Sequence, residues 1–577
     1  MDIPRPEHPR PDLMRDLWLN LNGVWDFTFD DYEIGDHHGY YYEDASYKMK
    51  INVPFVFESP LSGIDDQTAH PCIWYKRNFK ISSKLRDGKR IFINFGAVDY
   101  KAIVWLNGVK LGEHKGGYSS FSFEITNLLK EKNCVVVKVI DRTGDQPRGK
   151  QYHGAHPRGC RYTRVTGIWQ TVWIEARGKT YIKNYKVYPT DHDKVMVKVS
   201  VRGPTEGIRL RAEAFYAGWD AGTVDVDVKN HEIVFELPLR IVRLWWPEDP
   251  NLYRFKISLF KEDELIDEIH GLFGLRRIVA KNGWFKINGK KYYLKMVLDQ
   301  GYWPNGLYTA PSDNDIRRDV EAVKELGFNG VRAHQKPRDP RYLYWCDKIG
   351  VLVWEESADW GMPLTSEWIE PFWSEWRSII ERDFNHPCII AWTCFNERSN
   401  RESPYASRFI KTIYERTKDT DPTRPVLDNS GWFHVATDIA DVHAYVNILK
   451  LPEKWRAFID GDWKAILHEP WFEDYGELRD QPRIISEIGG WGIKKYLKPL
   501  MERPPFYYDT PVEDEFEFIS RYRELIRVLK QLNDVAGFCY TQLYDIEGEV
   551  NGFLTYDRRW KIKPEIIASI NSSLTIS

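Results

Sequence analysis

The sequence predicts a multidomain β plus α/β protein ending in a (β/α)8 barrel, and three observations carry that prediction. The chain has 577 residues, too many for one hydrophobic core, so roughly two to four domains are expected. Its first half alternates apolar and polar residues with period two. After residue 290 the pattern changes to short apolar runs separated by segments of helical period.

The alternation is clearest in Lys194-Val195-Met196-Val197-Lys198-Val199-Ser200-Val201 and in Thr223-Val224-Asp225-Val226-Asp227-Val228. It puts the valines on one face and the polar residues on the other, as in a half-buried sandwich strand. Asn107-Gly108 and Asn288-Gly289 are hairpin turns, because both residues of such a pair tolerate positive φ. Strands of this kind continue to about residue 290, and no long amphipathic helix interrupts them.

The second half offers eight candidate strands: 292–298, 329–333, 350–355, 388–395, 425–428, 441–445, 483–487 and 537–543. The helices between them carry boundary signals. In 312–327, Ser312 and Asp315 form an acidic variant of the capping box, and Ile316, Val320, Val323 and Leu326 line one face. Gly327 stands just past the end. Asp339-Pro340 supplies an N-cap and a first-turn proline for the next helix. Eight β-α units in roughly 285 residues is the size of a (β/α)8 barrel, whose strands are buried on both faces and so need no alternation. The alternative is an open doubly wound sheet, which lacks support here because no glycine-rich phosphate loop follows a strand.

Composition narrows the function classes. Apolar residues make up 42% and charged residues 29%, with a net charge of -3. Signs are mixed along the chain, so there is no electrostatic case for nucleic acid or an anionic membrane. No apolar run approaches the roughly 18 residues that span a bilayer. The opening MDIPRPEHPR lacks an apolar signal core, and the 7 cysteines are scattered without CxxC spacing. These features predict a reducing, cytoplasmic location without a disulfide framework or zinc knuckle. The 24 tryptophans serve either as sugar platforms or as core.

In a barrel, reacting groups stand where strands pass into βα-loops. The carboxylates there are Glu355 and Glu356, Glu397, Asp428 and Glu487. Two are cleanest. Ile389 to Phe395 runs into Asn396-Glu397, and Arg483 to Ser486 runs into Glu487, followed by Gly489-Gly490. These are the fourth and seventh strands, and their ends converge across the mouth. Two converging carboxylates suit glycoside hydrolysis, one attacking the anomeric carbon and the other protonating the leaving oxygen. While the nucleophile is ionised, its charge favours the protonated form of its neighbour. For a single strand-end glutamate the alternative is a structural ion pair. Glu355 and Glu356 are expected in that role beside Arg332, and Asp428 in orienting neighbours.

These residues bring a family into view. The chain resembles glycoside hydrolase family 2, the β-galactosidases, β-glucuronidases and β-mannosidases, along nearly its full length. Leu21-Asn22-Gly23-Val24-Trp25, Trp74-Tyr75-Lys76-Arg77, Phe95-Gly96-Ala97-Val98-Asp99 and Trp105-Leu106-Asn107-Gly108 resemble that family's jelly-roll sugar-binding domain. Gly167-Ile168-Trp169-Gln170 is similar to its final signature. Leu244-Trp245-Trp246-Pro247 resembles its immunoglobulin-like β-sandwich, and Phe273-Gly274-Leu275-Arg276 the entry to its TIM barrel. The implied domains are a jelly roll over 1–178, an immunoglobulin-like sandwich over 179–275 and a catalytic barrel over 276–577.

The resemblance implies a retaining exo-glycosidase working through a glycosyl-enzyme, with Glu397 as acid/base and Glu487 as nucleophile. It implies that Asn396 bonds the sugar 2-hydroxyl and that Arg332 stands by the nucleophile. His334, His443 and Tyr445 are expected at sugar-contacting or nucleophile-supporting positions. In the polar loop 147–166, Arg161 and Tyr162 are expected to contact substrate. Trp303, Trp360, Trp471 and Trp491 are the candidate sugar platforms, Trp471 and Trp491 foremost, and Asp299, which ends the first strand, is a further expected substrate contact. There are departures. Strand one reads Lys295-Met296-Val297-Leu298-Asp299-Gln300-Gly301 in place of a basic residue, glycine and histidine, and His334 is one residue off the family pattern. The Asn-x-Lys carboxylate reader of β-glucuronidases is not evident after Glu487. The Glu and His magnesium pattern of large β-galactosidases is missing after strand three. The expectation is therefore a β-galactosidase-like enzyme with no metal or cofactor, acting on a carbohydrate, with homo-oligomers common among members. The alternatives are a β-galactofuranoside, α-L-arabinoside, β-glucuronide or β-mannoside substrate, or a non-catalytic carbohydrate-binding protein on the same fold.

Overall fold

The computed structural model describes residues 3–142, 144–154, 157–190, 193–468, 470–472, 480–498 and 504–574. The chain forms three packed bodies: a jelly roll, an immunoglobulin-like sandwich and a barrel. The first packs a six-stranded sheet against a four-stranded one. The six-stranded sheet runs through Met49–Val53, Gly23–Phe29, Cys72–Phe79, Asn133–Ile140, Lys101–Leu106 and Val109–Lys115. Trp25, Phe27, Ile73, Tyr75, Ile93 and Val137 fill the space between the sheets. Asn107 and Gly108 turn at φ 52° and 81°, the positive values their residue types allow. The second body packs a three-stranded on a four-stranded sheet. Both alternating segments are strands there, in Lys194–Arg202 and Trp219–Asp227, the second strand ending one residue before Val228.

The eight barrel strands are β1 (Leu294–Asp299), β2 (Gly330–Ala333), β3 (Leu352–Glu356) and β4 (Ile389–Asn396), then β5 (Val426–Ser430), β6 (Ala440–His443), β7 (Arg483–Gly489) and β8 (Val535–Thr541). All pairings are parallel, and β1 joins β8. Between β5 and β6 the circle is closed by Gly431 N donating to Asp441 Oδ1 at 3.2 Å and His443 N to the Gly431 carbonyl at 3.2 Å. Every residue of β4 is buried, as a strand covered on both faces requires.

Boundaries differ from the sequence reading where turn chemistry intervenes. Asn288 and Gly289, at φ 49° and 84°, make a hairpin that pairs Tyr292 with Phe285 in a small separate sheet. The barrel therefore begins at Leu294, not at residue 292. Gly350 belongs to the end of helix α2 (Pro340–Ile349). It takes φ 81° and donates to the Cys346 carbonyl, so β3 starts at Leu352. Helix α1 (Asp313–Glu325) has Ser312 as its N-cap, accepting from Asp315 N. Asp339 caps α2 through Arg341 N at 2.9 Å.

The three bodies are locked by buried polar groups. Arg15 reaches Asp267 of the second body at 2.9 Å and Glu175 of the first at 2.7 Å. Asn385, after the helix preceding β4, bonds Tyr185 O and Val187 N of the second body, each at 2.9 Å. Tyr118 N of the jelly roll donates to Glu375 at 2.7 Å. The loop that matters most runs from Gln146 to Gln151. Arg148 N bonds the Trp360 carbonyl at 2.9 Å and Gly149 N that of Ala358 at 3.3 Å. This seats the jelly-roll loop on the segment after β3, at the carboxyl ends of the strands.

Candidate active site

Glu397 is the first residue beyond β4. Its N–H donates to the Ser430 carbonyl at 2.9 Å and the next amide, Arg398 N, to Asn429 Oδ1 at 3.0 Å. Glu397 itself takes φ 51°, a left-handed conformation costing a side-chain-bearing residue on the order of 1 kcal/mol. The bonds to β5 hold this turn and aim the carboxylate across the mouth. Glu487 lies inside β7 at an irregular place. The pairing slips between Val442 and His443 on one side and between Ile485 and Ile488 on the other. Such bulges re-aim a side chain.

Arg332 on β2 is the hub. It donates through Nε to Glu356 Oε2 at 2.8 Å, through Nη1 to Glu487 Oε1 at 2.7 Å, and through Nη2 to Asn396 Oδ1. Tyr445 donates its hydroxyl to the other oxygen, Glu487 Oε2. Burial alone would push the Glu487 carboxyl up. His443, Arg332 and the Tyr445 bond outweigh it and hold the group at about 2. Its side chain is 5% exposed, against 21% for Glu397, so Glu487 is the deep member, ionised at neutral pH, and Glu397 the accessible one.

His443 bridges the pair. Nδ1 lies 2.6 Å from Glu397 Oε1, and Nε2 lies 3.3 Å from Glu487 Oε1 and 3.1 Å from Arg332 Nη1. Nδ1 thus faces Glu397, and Nε2 stands between Arg332 and Glu487. Burial opposes a second proton, but Glu487 and then Glu397 outweigh it and raise the imidazole above its ordinary value. One oxygen of each glutamate and one His443 nitrogen all lie within 4.8 Å of one another. His334 bonds Glu356 Oε1 through Nδ1 at 3.1 Å. Burial first, then Arg332, lowers its pKa well below the free value, so the ring is neutral.

The structure brings Glu397, Glu487, Asn396, Arg332, His334, His443 and Tyr445 together. Asn396 Oδ1 is held by Arg332 while its Nδ2 donor is buried without a partner among the described residues. Arg161 stands at the mouth, its guanidinium 4.9 Å from the Trp360 ring centre. Trp360 in turn donates to the Asn396 carbonyl at 2.9 Å. Five expected contacts are placed elsewhere. Tyr162 is buried between domains, its hydroxyl 3.3 Å from that of Tyr308 and its ring 4.4 Å from Tyr302. Trp471 donates to the Asp441 carbonyl at 2.9 Å and packs on Phe458. Trp491 is core between Phe518 and Tyr540. Asp299 is held by Arg338, Tyr342 and Tyr544. Trp303 is likewise buried, between Lys336 and Arg558. In each case an apolar or ionic neighbour on another element claims the side chain. Of the expected structural carboxylates, Glu356 pairs with Arg332, Glu355 instead accepts from Arg338 N at 2.6 Å, and Asp428 accepts from His434 at 2.7 Å.

The sequence reading missed Lys150, Gln300, Tyr508, Gln542, Glu549 and Asn551. Lys150 belongs to the polar loop already singled out, but its partner Glu549 is distant in the chain, and no local pattern joins them.

Models of the family glycosyl hydrolases family 2 match three stretches: its sugar binding domain residues 19–147, a second domain residues 180–276, and its TIM barrel domain residues 278–560. The chain is 30% identical over 429 residues to a β-galactosidase of Thermoanaerobacterium thermosulfurigenes, covering 70% of this chain and 57% of that one. It is 28% identical over 440 residues to a putative β-glucuronidase of Formosa agariphila, covering 71% of this chain and 40% of that one. It thus spans about half the length of the first curated relatives it matches. A Bifidobacterium dentium β-glucuronidase complexed with coumarin-3-O-glucuronide superposes with a TM-score of 0.80. There the identity is 19%, with coverage of 98% of this chain and 99% of that one.

Proposed function

The chain belongs to glycosyl hydrolase family 2, and from that premise we propose that it is a retaining exo-glycosidase removing a terminal sugar of the β-galactoside type. One observation carries the mechanism: a deep, cation-clamped carboxylate faces a half-open one, with an oxygen of each within 4.8 Å of the other. Retaining enzymes place the two groups about 5–5.5 Å apart, whereas inverting enzymes leave about 6.5–9.5 Å for a water.

In this reading Glu487, ionised at working pH, attacks the anomeric carbon while Glu397 gives its proton to the departing oxygen. The glycosyl ester neutralises Glu487. Water then loses a proton to Glu397 and attacks the anomeric carbon, and Glu487 leaves as the carboxylate. Arg332 and Tyr445 hold the two oxygens of Glu487 in line. The free Nδ2 of Asn396 offers the sugar 2-hydroxyl a hydrogen bond. Exo action is supported by the jelly-roll loop 146–151, which walls one side of the mouth.

A second reading, a β-glucuronidase like the Formosa and Bifidobacterium relatives, is favoured by Arg161, a cation at the mouth without a carboxylate partner among the described residues. A panel of aryl glycosides, with the first-formed anomer followed by proton NMR, tests the proposal. Retained configuration is expected. An inverted first product rejects the mechanism, and no turnover with measurable sugar binding favours a non-catalytic binder.

A further inference from the structure

Beside the two carboxylates lies a second polar cluster that double displacement does not use. Lys150, from the jelly-roll loop, pairs with Glu549 Oε2 at 2.7 Å. Gln300, just after β1, donates to the same oxygen at 2.9 Å and to Gln542 Oε1 at 2.6 Å. Gln542, just after β8, donates to Asn551 Oδ1 at 2.8 Å. All five residues are at least 98% buried.

The cluster abuts the reacting centre. Thr541, the neighbour of Gln542, lies 2.9 Å from the Tyr445 hydroxyl that holds Glu487. Tyr508 stacks flat on Tyr445, 3.6 Å between centroids. Burial first, then the charges of Glu549 and Glu487, hold its phenol pKa well above the ordinary value.

Three atoms here are buried and have no hydrogen-bond partner among the described residues: Glu549 Oε1, Gln300 Oε1 and Asn551 Nδ2. Unmet buried polar groups carry their full desolvation cost and call for a reason. Two acceptors beside one donor match a sugar hydroxyl, which both donates and accepts. They do not match a carboxylate, which only accepts. Lys150, a cation of this wall, is already engaged by Glu549, so a uronate would find no free cation among these residues to offset its charge.

We propose that Glu549, Gln300 and Asn551 read hydroxyl groups of a neutral terminal sugar, with Lys150 positioning Glu549, and that this wall selects against uronides. The inference rests on the glycosidase reading and narrows its substrate class. It places selection at this wall rather than at Arg161.

The test is kcat/KM for a 4-nitrophenyl hexoside and the matching 4-nitrophenyl hexuronide, on the wild type, Glu549→Gln and Gln300→Ala. A site built to bond a hydroxyl discriminates strongly, so the wild type should prefer the hexoside by at least ~100-fold and Glu549→Gln should narrow that ratio at least ~10-fold. Gln300→Ala, assayed with a thermal melt, keeps the test decisive if Glu549→Gln does not fold. Its ratio should narrow in the same direction. Wild-type preference for the hexuronide, or a ratio unchanged in both variants, overturns the wall while leaving the glycosidase reading intact. Failure to cleave any aryl glycoside overturns the glycosidase reading and the wall with it.

Discussion

Replacing Glu487 by glutamine should alter the pH dependence of stability by a calculable amount. In the folded chain the Glu487 carboxyl sits at about 2, against 4.5 for the free side chain. At about 1.4 kcal/mol per pH unit, the difference is worth about 3 kcal/mol. The side chain is 5% exposed, so solvent screening removes little of this. A carboxyl whose folded-state pKa is depressed stabilises the fold above its unfolded value, here 4.5. That contribution is lost as pH falls toward the folded value, here about 2. By pH 3 about 2 of the ~3 kcal/mol should be gone. Glu487→Gln lacks the titrating group altogether. The stability gap between wild type and variant should therefore narrow by about 2 kcal/mol from pH 7 to pH 3. Urea unfolding at both pH values reads it through the fluorescence of buried Trp354, Trp376 and Trp392. A gap that stays constant would refute the electrostatic clamp by His443 and Arg332, because the variant removes the Glu487 carboxylate and with it the charge that raises His443.

Glu397→Ala should retain cleavage of aryl glycosides with good leaving groups, which need little protonation. Added azide should then yield a glycosyl azide of retained configuration, and an inverted azide would exchange the roles of the two glutamates. Tyr445→Phe removes a hydrogen bond to a charged acceptor, worth roughly 1.5–3 kcal/mol, so kcat/KM should fall between about 10- and 150-fold with the fold intact by circular dichroism. Asn396→Ala should lower kcat/KM for the parent sugar far more than for its 2-deoxy analogue, and equal losses on both would remove the 2-hydroxyl from its role.

The fold was legible wherever local chemistry decides the backbone. Ser312 caps α1, Gly327 at φ 74° follows its end, and the alternating valines became sandwich strands. Strand-end position was enough to predict that Glu397 and Glu487 come together, because in a parallel barrel the carboxyl ends of the strands gather at one mouth. Side chains whose fate depends on partners far away in the chain were not legible. Trp471 and Trp491 stand in loops, yet Phe458, Phe518 and Tyr540 bury them. Tyr162 is claimed by Tyr302 and Tyr308 across a domain interface. Lys150 and Glu549 are 399 residues apart, and only the seating of the jelly-roll loop on the barrel makes them neighbours. The bridging place of His443 also depends on the slip between β6 and β7, which no residue pattern announces.

The most direct measurement is mass-spectrometric location of a trapped sugar, using the 2-deoxy-2-fluoro analogue of the best aryl glycoside, with an activated leaving group. A slowly hydrolysed ester on Glu487 is expected, released as the retained product. Stoichiometric inactivation with the label on Glu397 or another residue, or turnover of the analogue to an inverted sugar without any covalent adduct, would contradict the account.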